Sequence, residues 1–141
     1  MKSVRDTMTG NPRSIDASAS VVEAAQLMRE AHIGSLPITD GEQLVGMITD
    51  RDITTRVVAE SADQQTSVGD ISSRDLITVE PDRDLDEALQ LMARHQVRRL
   101  PVVENGRLVG IVAQADIALS ESEMTGKLVE AISEPSEQER R

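Results

Sequence analysis

An internal repeat is the feature that most constrains what this chain can fold into. When the sequence is displaced by 64 residues, its two halves align without a gap. Chance does not produce one register over such a length, so the chain is a tandem duplication with a polar joint at residues 60–67. The matched positions are Val4 and Val68, Asp6 and Asp70, Glu23-Ala24 and Glu87-Ala88, Gln26-Leu27-Met28 and Gln90-Leu91-Met92, Leu36-Pro37 and Leu100-Pro101, Leu44-Val45-Gly46 and Leu108-Val109-Gly110, and Asp52-Ile53 and Asp116-Ile117.

Each half predicts the same order of elements, β–α–β–β–α. A short extended segment at residues 13–16 or 77–80 precedes an amphipathic helix, and two strands follow at residues 35–39 and 44–49, or 99–103 and 108–113. The helix starts carry capping-box patterns and the strand pairs carry turn signals. The capping-box pairs are Ser20 with Glu23 and Asp84 with Glu87, and the turn signals are Asp40-Gly41 and Asn105-Gly106. The second helix of each half is predicted to begin near Asp52 and near Asp116.

A three-stranded sheet with helices on one face leaves its other face uncovered, so a single repeat is too small to be stable alone. We therefore expect an α+β fold in which two repeats pack sheet to sheet with pseudo-twofold symmetry. The expected boundaries are residues 1–62 for the first repeat and 63–122 for the second. Residues 123–141 are expected to form an amphipathic helix, with Met124, Leu128, Val129 and Ile132 on its apolar face, and a disordered acidic tail.

Composition excludes several classes of function. The net charge of −10 argues against binding to nucleic acid or to an anionic membrane. No stretch is apolar enough for a signal core or a membrane span, so we expect a soluble, cytoplasmic protein. The absence of cysteine excludes disulfides and thiolate chemistry, and the absence of Phe, Tyr and Trp leaves only aliphatic side chains to hold a bound ring.

The stretch at residues 44–53 combines an apolar strand with the start of a helix. Thr49 and Asp52 have the spacing of a capping box, which stabilises a helix start by about 1 kcal/mol. The same hydroxyl and carboxylate could instead contact a phosphate and the hydroxyls of a sugar. The two interpretations are compatible, because an unoccupied site can use its own side chains as the cap.

The residues of both halves resemble the CBS (cystathionine-β-synthase) domain, and two copies in tandem resemble a CBS pair, or Bateman module. The resemblance covers residues 4–120, and the chain is most similar to small stand-alone bacterial CBS-pair proteins. It implies a regulatory module, commonly a homodimer with a regulated protein partner, that binds an adenosine-containing ligand in the clefts between the repeats. The candidate ligands are AMP, ADP, ATP, S-adenosylmethionine and NAD(H). The motif residues are Met28, Ile33-Gly34-Ser35-Leu36-Pro37-Ile38, Leu44-Val45-Gly46-Met47-Ile48-Thr49 and Asp52.

The resemblance also implies the binding residues. The ribose-binding aspartate falls on Asp52 and on Asp116, and the hydroxyl residue falls on Thr49, where the second repeat has Ala113. The second repeat therefore lacks a phosphate donor, and we expect one competent and one weakened cleft. The remaining implied contacts are Arg13, Ile33 and Gly34 for adenine in the first cleft, Ile77, Val97 and Arg98 for the second, and Arg99 for phosphate, where the first repeat has Ser35.

An alternative function stays open, namely a structural or dimerisation module whose clefts are vestigial and which binds a protein partner. The sequence has no nucleophile triad, paired-carboxylate motif, phosphate-binding loop or metal-ligand spacing, so we expect no enzymatic activity, no required cofactor and no metal. The two histidines, His32 and His95, are isolated at the ends of predicted helices.

Overall fold

The computed structural model describes residues 2–125. The predicted α+β class is confirmed, and so is the order β–α–β–β–α in the first repeat. In the second repeat the segment expected at residues 77–80 forms an isolated bridge at Val79 rather than a strand, and the other elements follow in the predicted order. The sequence predicted neither the short helix at the start of each repeat nor the short strand at Thr9–Gly10. The second helices begin at Asp50 and Gln114, two residues earlier than expected. The elements are α1 (Val4–Thr7), β1 (Thr9–Gly10), β2 (Ile15–Asp16), α2 (Val21–Ala31), β3 (Ser35–Asp40), β4 (Gln43–Thr49), α3 (Asp50–Ile53), a π-helical turn (Thr54–Val58), α4 (Val68–Ile71), α5 (Leu85–His95), β5 (Arg99–Glu104), β6 (Arg107–Ala113) and α6 (Gln114–Thr125).

The chain forms two compact units. The first-repeat unit contains residues 13–76 and 106–108, and the second-repeat unit contains residues 2–12, 77–105 and 109–125 of the described chain. The units therefore differ from the repeat boundaries expected at residues 62 and 63. The expected amphipathic residues Leu128, Val129 and Ile132 and the acidic tail lie outside the described residues, as do all positions beyond 125.

In the first-repeat unit, β2 pairs in parallel with β3, and β3 pairs antiparallel with β4. The β3–β4 turn occupies residues 41–42, one position later than expected, because Gly41 supplies the positive φ of 65°. Helix α2 buries its apolar stripe in the core. The core residues are Ile15, Val21, Ala24, Met28, Leu36, Ile38, Ile48, Val57 and Val68.

In the second-repeat unit, β1 pairs antiparallel with β6, and Val79 forms a parallel bridge to Val102. Asn105 and Gly106 both have positive φ, 54° and 80°, as the predicted two-residue hairpin turn requires. The core matches that of the first-repeat unit position for position, except that Ile117 is used in place of an equivalent of Val57. Its residues are Val4, Val79, Leu85, Ala88, Met92, Leu100, Val102, Val112 and Ile117.

Helices α1 and α4 explain why the units do not follow the repeats. Val4 of the first repeat is fully buried in the core of the second-repeat unit, and Val68 of the second repeat is fully buried in the core of the first-repeat unit. The backbone bonds are equivalent: Val4 N–H donates to Arg83 O at 2.8 Å, and Val68 N–H donates to Ala19 O at 2.8 Å. We refer to residues 2–12 and 63–76 as the exchanged segments.

Two glycines accommodate these segments. Met47 pairs with Ser73, and the equivalent Ile111 pairs with Thr9. A Cβ on Gly46 would lie 2.9 Å from Ser72 Oγ, and a Cβ on Gly110 would lie 2.9 Å from Thr9 O. The expectation that these duplicated glycines permit a close backbone approach is confirmed.

The capping boxes predicted for the long helices are only partly present. The Ser20 hydroxyl accepts from Glu23 N–H at 3.2 Å, which is one half of the box. Asp84 is the N-cap of α5 but its side chain makes no capping bond. The reason is that Glu87 N–H donates to the Asp84 carbonyl at 3.0 Å, while the Glu87 carboxylate pairs with Arg83 at 3.7 Å.

Candidate functional site

The junction between β4 and α3 is a complete capping box. Thr49 has extended backbone angles, and its N–H donates to Asp52 Oδ2 at 2.9 Å. In return, Asp52 N–H donates to Thr49 Oγ1 at 3.1 Å. The structural interpretation of these two residues is therefore confirmed. Their hydroxyl and carboxylate lie together at the end of the strand, where the chain enters the helix.

The loop at residues 33–34 lies against this junction. Helix α2 ends at Ala31, and its C-cap residue His32 adopts the left-handed conformation with φ of 55°. Ile33 N–H then donates to Met28 O at 3.0 Å. The next carbonyl, Gly34 O, accepts from Asp50 N–H at 2.9 Å. The structure thus brings the predicted residues Ile33 and Gly34 beside Thr49.

A side chain at position 34 would meet the Asp50 carboxylate, because a Cβ there would lie 3.2 Å from Asp50 Oδ2. Because position 34 is glycine, the main chain of this loop can approach the β4–α3 junction closely, and no side chain at that position covers it. Arg13, the other residue expected here, is exposed and precedes β2.

The second repeat reproduces the main-chain frame but not the cap. Gln96 adopts the same left-handed conformation as His32, Val97 N–H donates to Met92 O at 3.0 Å, and Gln114 N–H donates to Arg98 O at 2.8 Å. Ala113, which occupies the position of Thr49, is buried and has no hydroxyl to cap α6. The frame is therefore duplicated, whereas the hydroxyl is present in one copy.

The remaining predicted residues of the second repeat lie in the second-repeat unit. Asp116 is half-buried in the first turn of α6. Ile77 and Val97 pack against the core of that unit, and the side chain of Arg98 is exposed. Arg99, the first residue of β5, is half-buried in the same unit, and its part in phosphate binding stays a prediction.

Helix α3 continues into the π-helical turn, and two threonine hydroxyls share its carbonyl groups. Thr54 Oγ1 donates to Asp50 O at 3.0 Å, and Thr55 Oγ1 donates to Arg51 O at 2.8 Å. Ala59 N–H then donates to Thr54 O, five residues back, at 2.9 Å. In the second repeat, α6 remains α-helical over the equivalent positions.

Two residues of the site were not predicted from the sequence. Asp50 supplies the N–H that joins the junction to Gly34, and Arg56 places Nε 3.9 Å from Asp52 Oδ1. The spacing of four residues between Asp52 and Arg56 on one helix was a usable signal for the ion pair. No comparable signal marked Asp50, because its contact is made by the main chain.

Among the described residues, no group of three or more His, Cys, Asp or Glu side chains is placed to hold a metal ion. No helix in this part of the chain has both the length and the apolar character needed to span a membrane.

Together these features define a duplicated α+β module with a strand-to-helix junction in each copy. The chain belongs to the CBS domain family. The model of that family matches residues 4–59 and 68–122, so the chain contains two copies of the domain.

Relatives and solved structures agree with this assignment. Hypoxic response protein 1 of Mycobacterium tuberculosis is 41% identical over 120 residues, which is 84% of this chain and 84% of the relative. A crystal structure of hypoxic response protein I with two coordinated zinc ions has a TM-score of 0.78 and 40% identity, and the match covers 84% of this chain and 98% of that one.

Two further solved structures contain adenosine compounds. The CBS domain pair of protein MJ0100, in complex with 5′-methylthioadenosine and S-adenosyl-L-methionine, has a TM-score of 0.75 and 29% identity, with 89% of this chain and 99% of that one covered. CBSX2 in complex with AMP has a TM-score of 0.76 and 27% identity, with 88% and 98% covered. The ligands bound by these two proteins share an adenosine portion.

Proposed function

We propose that this chain is a regulatory module that binds an adenosine-containing nucleotide at the Thr49–Asp52 junction. The observation that carries the proposal is the bond from Asp50 N–H to Gly34 O. It holds two kinds of group side by side, the open main chain of residues 33–34 and the side chains of Thr49 and Asp52. The AMP, methylthioadenosine and S-adenosylmethionine complexes of similar CBS pairs support adenosine as the ligand class.

Each group at the junction has spare hydrogen-bonding capacity. Asp52 Oδ2 accepts from Thr49 N–H, which leaves Oδ1 to accept from a ribose hydroxyl. Thr49 Oγ1 accepts from Asp52 N–H, and its own O–H remains a donor for a phosphate oxygen. Ile33 N–H and Gly34 O are already bonded to Met28 O and Asp50 N–H, so the Ile33 carbonyl and the Gly34 N–H are the main-chain groups proposed to bond the edge of adenine. A nucleotide can therefore bind without breaking the capping box.

The second junction is proposed to bind more weakly. Ala113 offers no hydroxyl to a phosphate, and the loss of one such bond weakens binding by about 1–3 kcal/mol. Asp116, Ile77, Val97 and Arg98 would form what remains of that site. Arg99 is proposed to supply the cation for phosphate at the first junction, in accordance with the family pattern.

A second candidate function is a structural or dimerisation module that binds a protein partner, with no ligand. The capping box itself favours it, since Thr49 and Asp52 satisfy each other without any ligand. Under this alternative both residues stabilise a helix start and nothing more. The proposed module is a homodimer in either case, and no reaction is assigned to it.

Calorimetric titration with AMP, ADP, ATP, S-adenosylmethionine and NAD(H) separates the two candidates. We expect at least one ligand to bind, and we expect Asp52→Asn to weaken it about ten- to a hundredfold through loss of a charge-assisted hydrogen bond. Arg99→Ala weakens phosphate-bearing ligands more than S-adenosylmethionine. The matched control is Asp116→Asn, which makes the same change at the second junction.

The outcomes are distinct. If protein purified free of ligand binds none of the five compounds, the nucleotide proposal fails and the structural alternative stands. If binding survives Asp52→Asn but is lost in Asp116→Asn, the second junction is the ligand site. Analytical ultracentrifugation of the unsubstituted protein tests the homodimer.

A further inference from the structure

The Arg56 guanidinium makes two contacts with two different nitrogens. Nε lies 3.9 Å from Asp52 Oδ1, and Nη1 donates to the carbonyl of Ile71 at 2.8 Å. A planar guanidinium holds its donors in fixed directions, so both contacts are made in one orientation. Arg56 therefore connects the proposed ribose-binding carboxylate with the end of α4.

The contact with Asp52 involves the oxygen that a ligand would use. Oδ2 is engaged by Thr49 N–H at 2.9 Å, and Oδ1 is the oxygen that faces Arg56. A separation of 3.9 Å is too long for a hydrogen bond but short enough for charge attraction. Oδ1 is thus oriented by Arg56 while it keeps room for a donor from a ligand. Only 17% of the Asp52 side chain is exposed, so solvent screens this attraction incompletely.

The contact with Ile71 is made at the C-terminal end of α4, the helix within the exchanged segment of residues 63–76. Helix α4 is held at its start by Val68 N–H on Ala19 O and by Gly69 N–H on Ala17 O, at 2.8 and 3.1 Å. Its last carbonyl has no partner within such a short helix, and the Arg56 guanidinium satisfies it. Arg56 therefore holds α4 from the opposite end to its backbone bonds.

In the second repeat the residues at the equivalent positions also contact each other, but through two uncharged side chains rather than through a guanidinium and a main-chain carbonyl. Ser120 occupies the position of Arg56 and Thr7 that of Ile71, and their hydroxyls lie 3.4 Å apart. Ser120 also accepts from Lys2 Nζ at 3.0 Å. A serine has no charge with which to orient Asp116, so within residues 2–125 the ion pair that joins the aspartate to the exchanged segment is found in the first-repeat unit.

We infer that Arg56 is a positioning residue that orients Asp52 for ribose and couples nucleotide binding to the docking of α4. The inference rests on the proposed function, because the ligand is the one proposed for Asp52. A ligand hydroxyl on Oδ1 holds the carboxylate beside Arg56, and Arg56 in turn holds Ile71. The exchanged segment that contains α4, which the chain passes through before it enters the second-repeat unit at Ile77, is thereby more firmly docked when the nucleotide is bound.

The first test needs no ligand. Amide hydrogen exchange is measured in the unsubstituted protein, in Arg56→Gln and in Arg51→Gln, which removes a neighbouring exposed guanidinium from the same helical run. We expect Arg56→Gln to raise exchange at the Val68 and Gly69 amides at least threefold. The equivalent amides of Val4 and Arg5 and the Arg51→Gln protein should be unchanged. Unchanged exchange at Val68 and Gly69 would overturn the link to α4.

The second test measures positioning by comparing AMP with its 2′,3′-dideoxy analogue, which lacks the ribose hydroxyls. We expect the unsubstituted protein and Arg51→Gln to prefer AMP at least tenfold, and Arg56→Gln to prefer it by threefold or less. A purely structural defect would weaken both ligands equally and leave the preference intact, and that result would overturn the positioning role.

The third measurement tests the coupling. AMP should slow exchange at Val68 and Gly69 in the unsubstituted protein, and this protection should be lost in Arg56→Gln. Equal protection in both proteins would overturn the coupling. If the unsubstituted protein binds no adenosine compound, the proposed function and the ligand-dependent part of this inference both fail, while the first test still decides whether Arg56 holds α4.

Discussion

Val4 and Val68 occupy equivalent positions in the two repeats, and each is fully buried in the unit that the other repeat mainly builds. Val4 packs in a cluster with Val79 and Leu85, and Val68 packs in a cluster with Ile15 and Val21. Each core is therefore completed by a residue from the other half of the sequence. Neither repeat, cut at the joint, contains all of the residues that its own core requires.

Truncating either valine should destabilise the protein. Val4→Ala and Val68→Ala each remove two buried methyl groups, so each should lower the free energy of unfolding by about 2 kcal/mol. Urea denaturation followed by far-ultraviolet circular dichroism measures this, since the chain has no aromatic residue to report by fluorescence. The matched control is Val58→Ala, whose side chain is 69% exposed and whose effect should stay within about 0.5 kcal/mol.

The exchange of segments also predicts where each substitution acts. Val4→Ala should raise amide exchange chiefly in α5 and β5, and Val68→Ala chiefly in α2 and β3, because those elements share a core with the substituted residue. The opposite pattern would show that each segment packs with its own repeat.

The duplicated glycines should be intolerant of alanine. At Gly46 the new methyl group would press on Ser72 Oγ and on the carbonyl of Ser73, at 2.9 and 3.2 Å, and at Gly110 it would press on the carbonyl of Thr9 at 2.9 Å. Backbone atoms cannot move aside as a flexible side chain can, so each substitution should lower the free energy of unfolding by about 1–3 kcal/mol.

Gly10→Ala serves as the control for both glycines. A Cβ on Gly10 meets no atom within 4 Å, and no positive φ restricts that position. Its stability should change by no more than about 0.5 kcal/mol, measured by the same urea denaturation. If Gly10→Ala destabilised the protein as much as Gly46→Ala, loss of glycine rather than steric pressure would be the cause.

Much of the fold could be predicted because the repeat reports every element twice. Hydrophobic periodicity located the long helices, and Asn105-Gly106 located a hairpin turn whose two positive φ angles require such residues. The turn at residues 41–42 was predicted one position too early, at residues 40–41, because Gly41 is the first of its two residues and not the second. A single glycine indicates that a turn is present but not which turn position it occupies.

The exchanged segments could not be predicted from the repeat. Periodicity shows that Val4 and Val68 are equivalent, but it contains no information on which core each one enters. The capping box of Thr49 and Asp52, by contrast, joins residues that are neighbours in the sequence, and it was predicted correctly. The bond between Asp50 and Gly34 was missed, because it joins main-chain groups of residues whose side chains gave no signal.

The hydroxyl of Thr49 should contribute to stability independently of any ligand. Thr49→Ala removes the acceptor for Asp52 N–H and should lower the free energy of unfolding by about 1 kcal/mol, whereas Thr49→Ser should retain most of it. Urea denaturation in the absence of nucleotide measures both. A loss in Thr49→Ser as large as that in Thr49→Ala would mean that the methyl group, not the hydroxyl, supports the junction.

Lowering the pH should weaken a second local contact, which lies between Asp16 and Ser18 in the turn that follows β2. Hydrogen bonds from the Ser18 hydroxyl and from Ser18 N–H hold the pKa of Asp16 below the ordinary value of an aspartate. The ionised form is therefore favoured in the folded state, and its contribution to stability is complete above the ordinary pKa of about 4 and is lost as the pH falls through the lowered value.

Ser18→Ala removes the larger cause, so the pKa of Asp16 should rise and the acid-dependent loss of stability should become smaller. A carboxyl titration by nuclear magnetic resonance measures the first effect, and urea denaturation at pH values from 5 to 2 measures the second. Asp16→Asn, which cannot ionise, is the reference. If Asp16 titrates at the same pH in the unsubstituted protein and in Ser18→Ala, the hydroxyl does not stabilise the carboxylate.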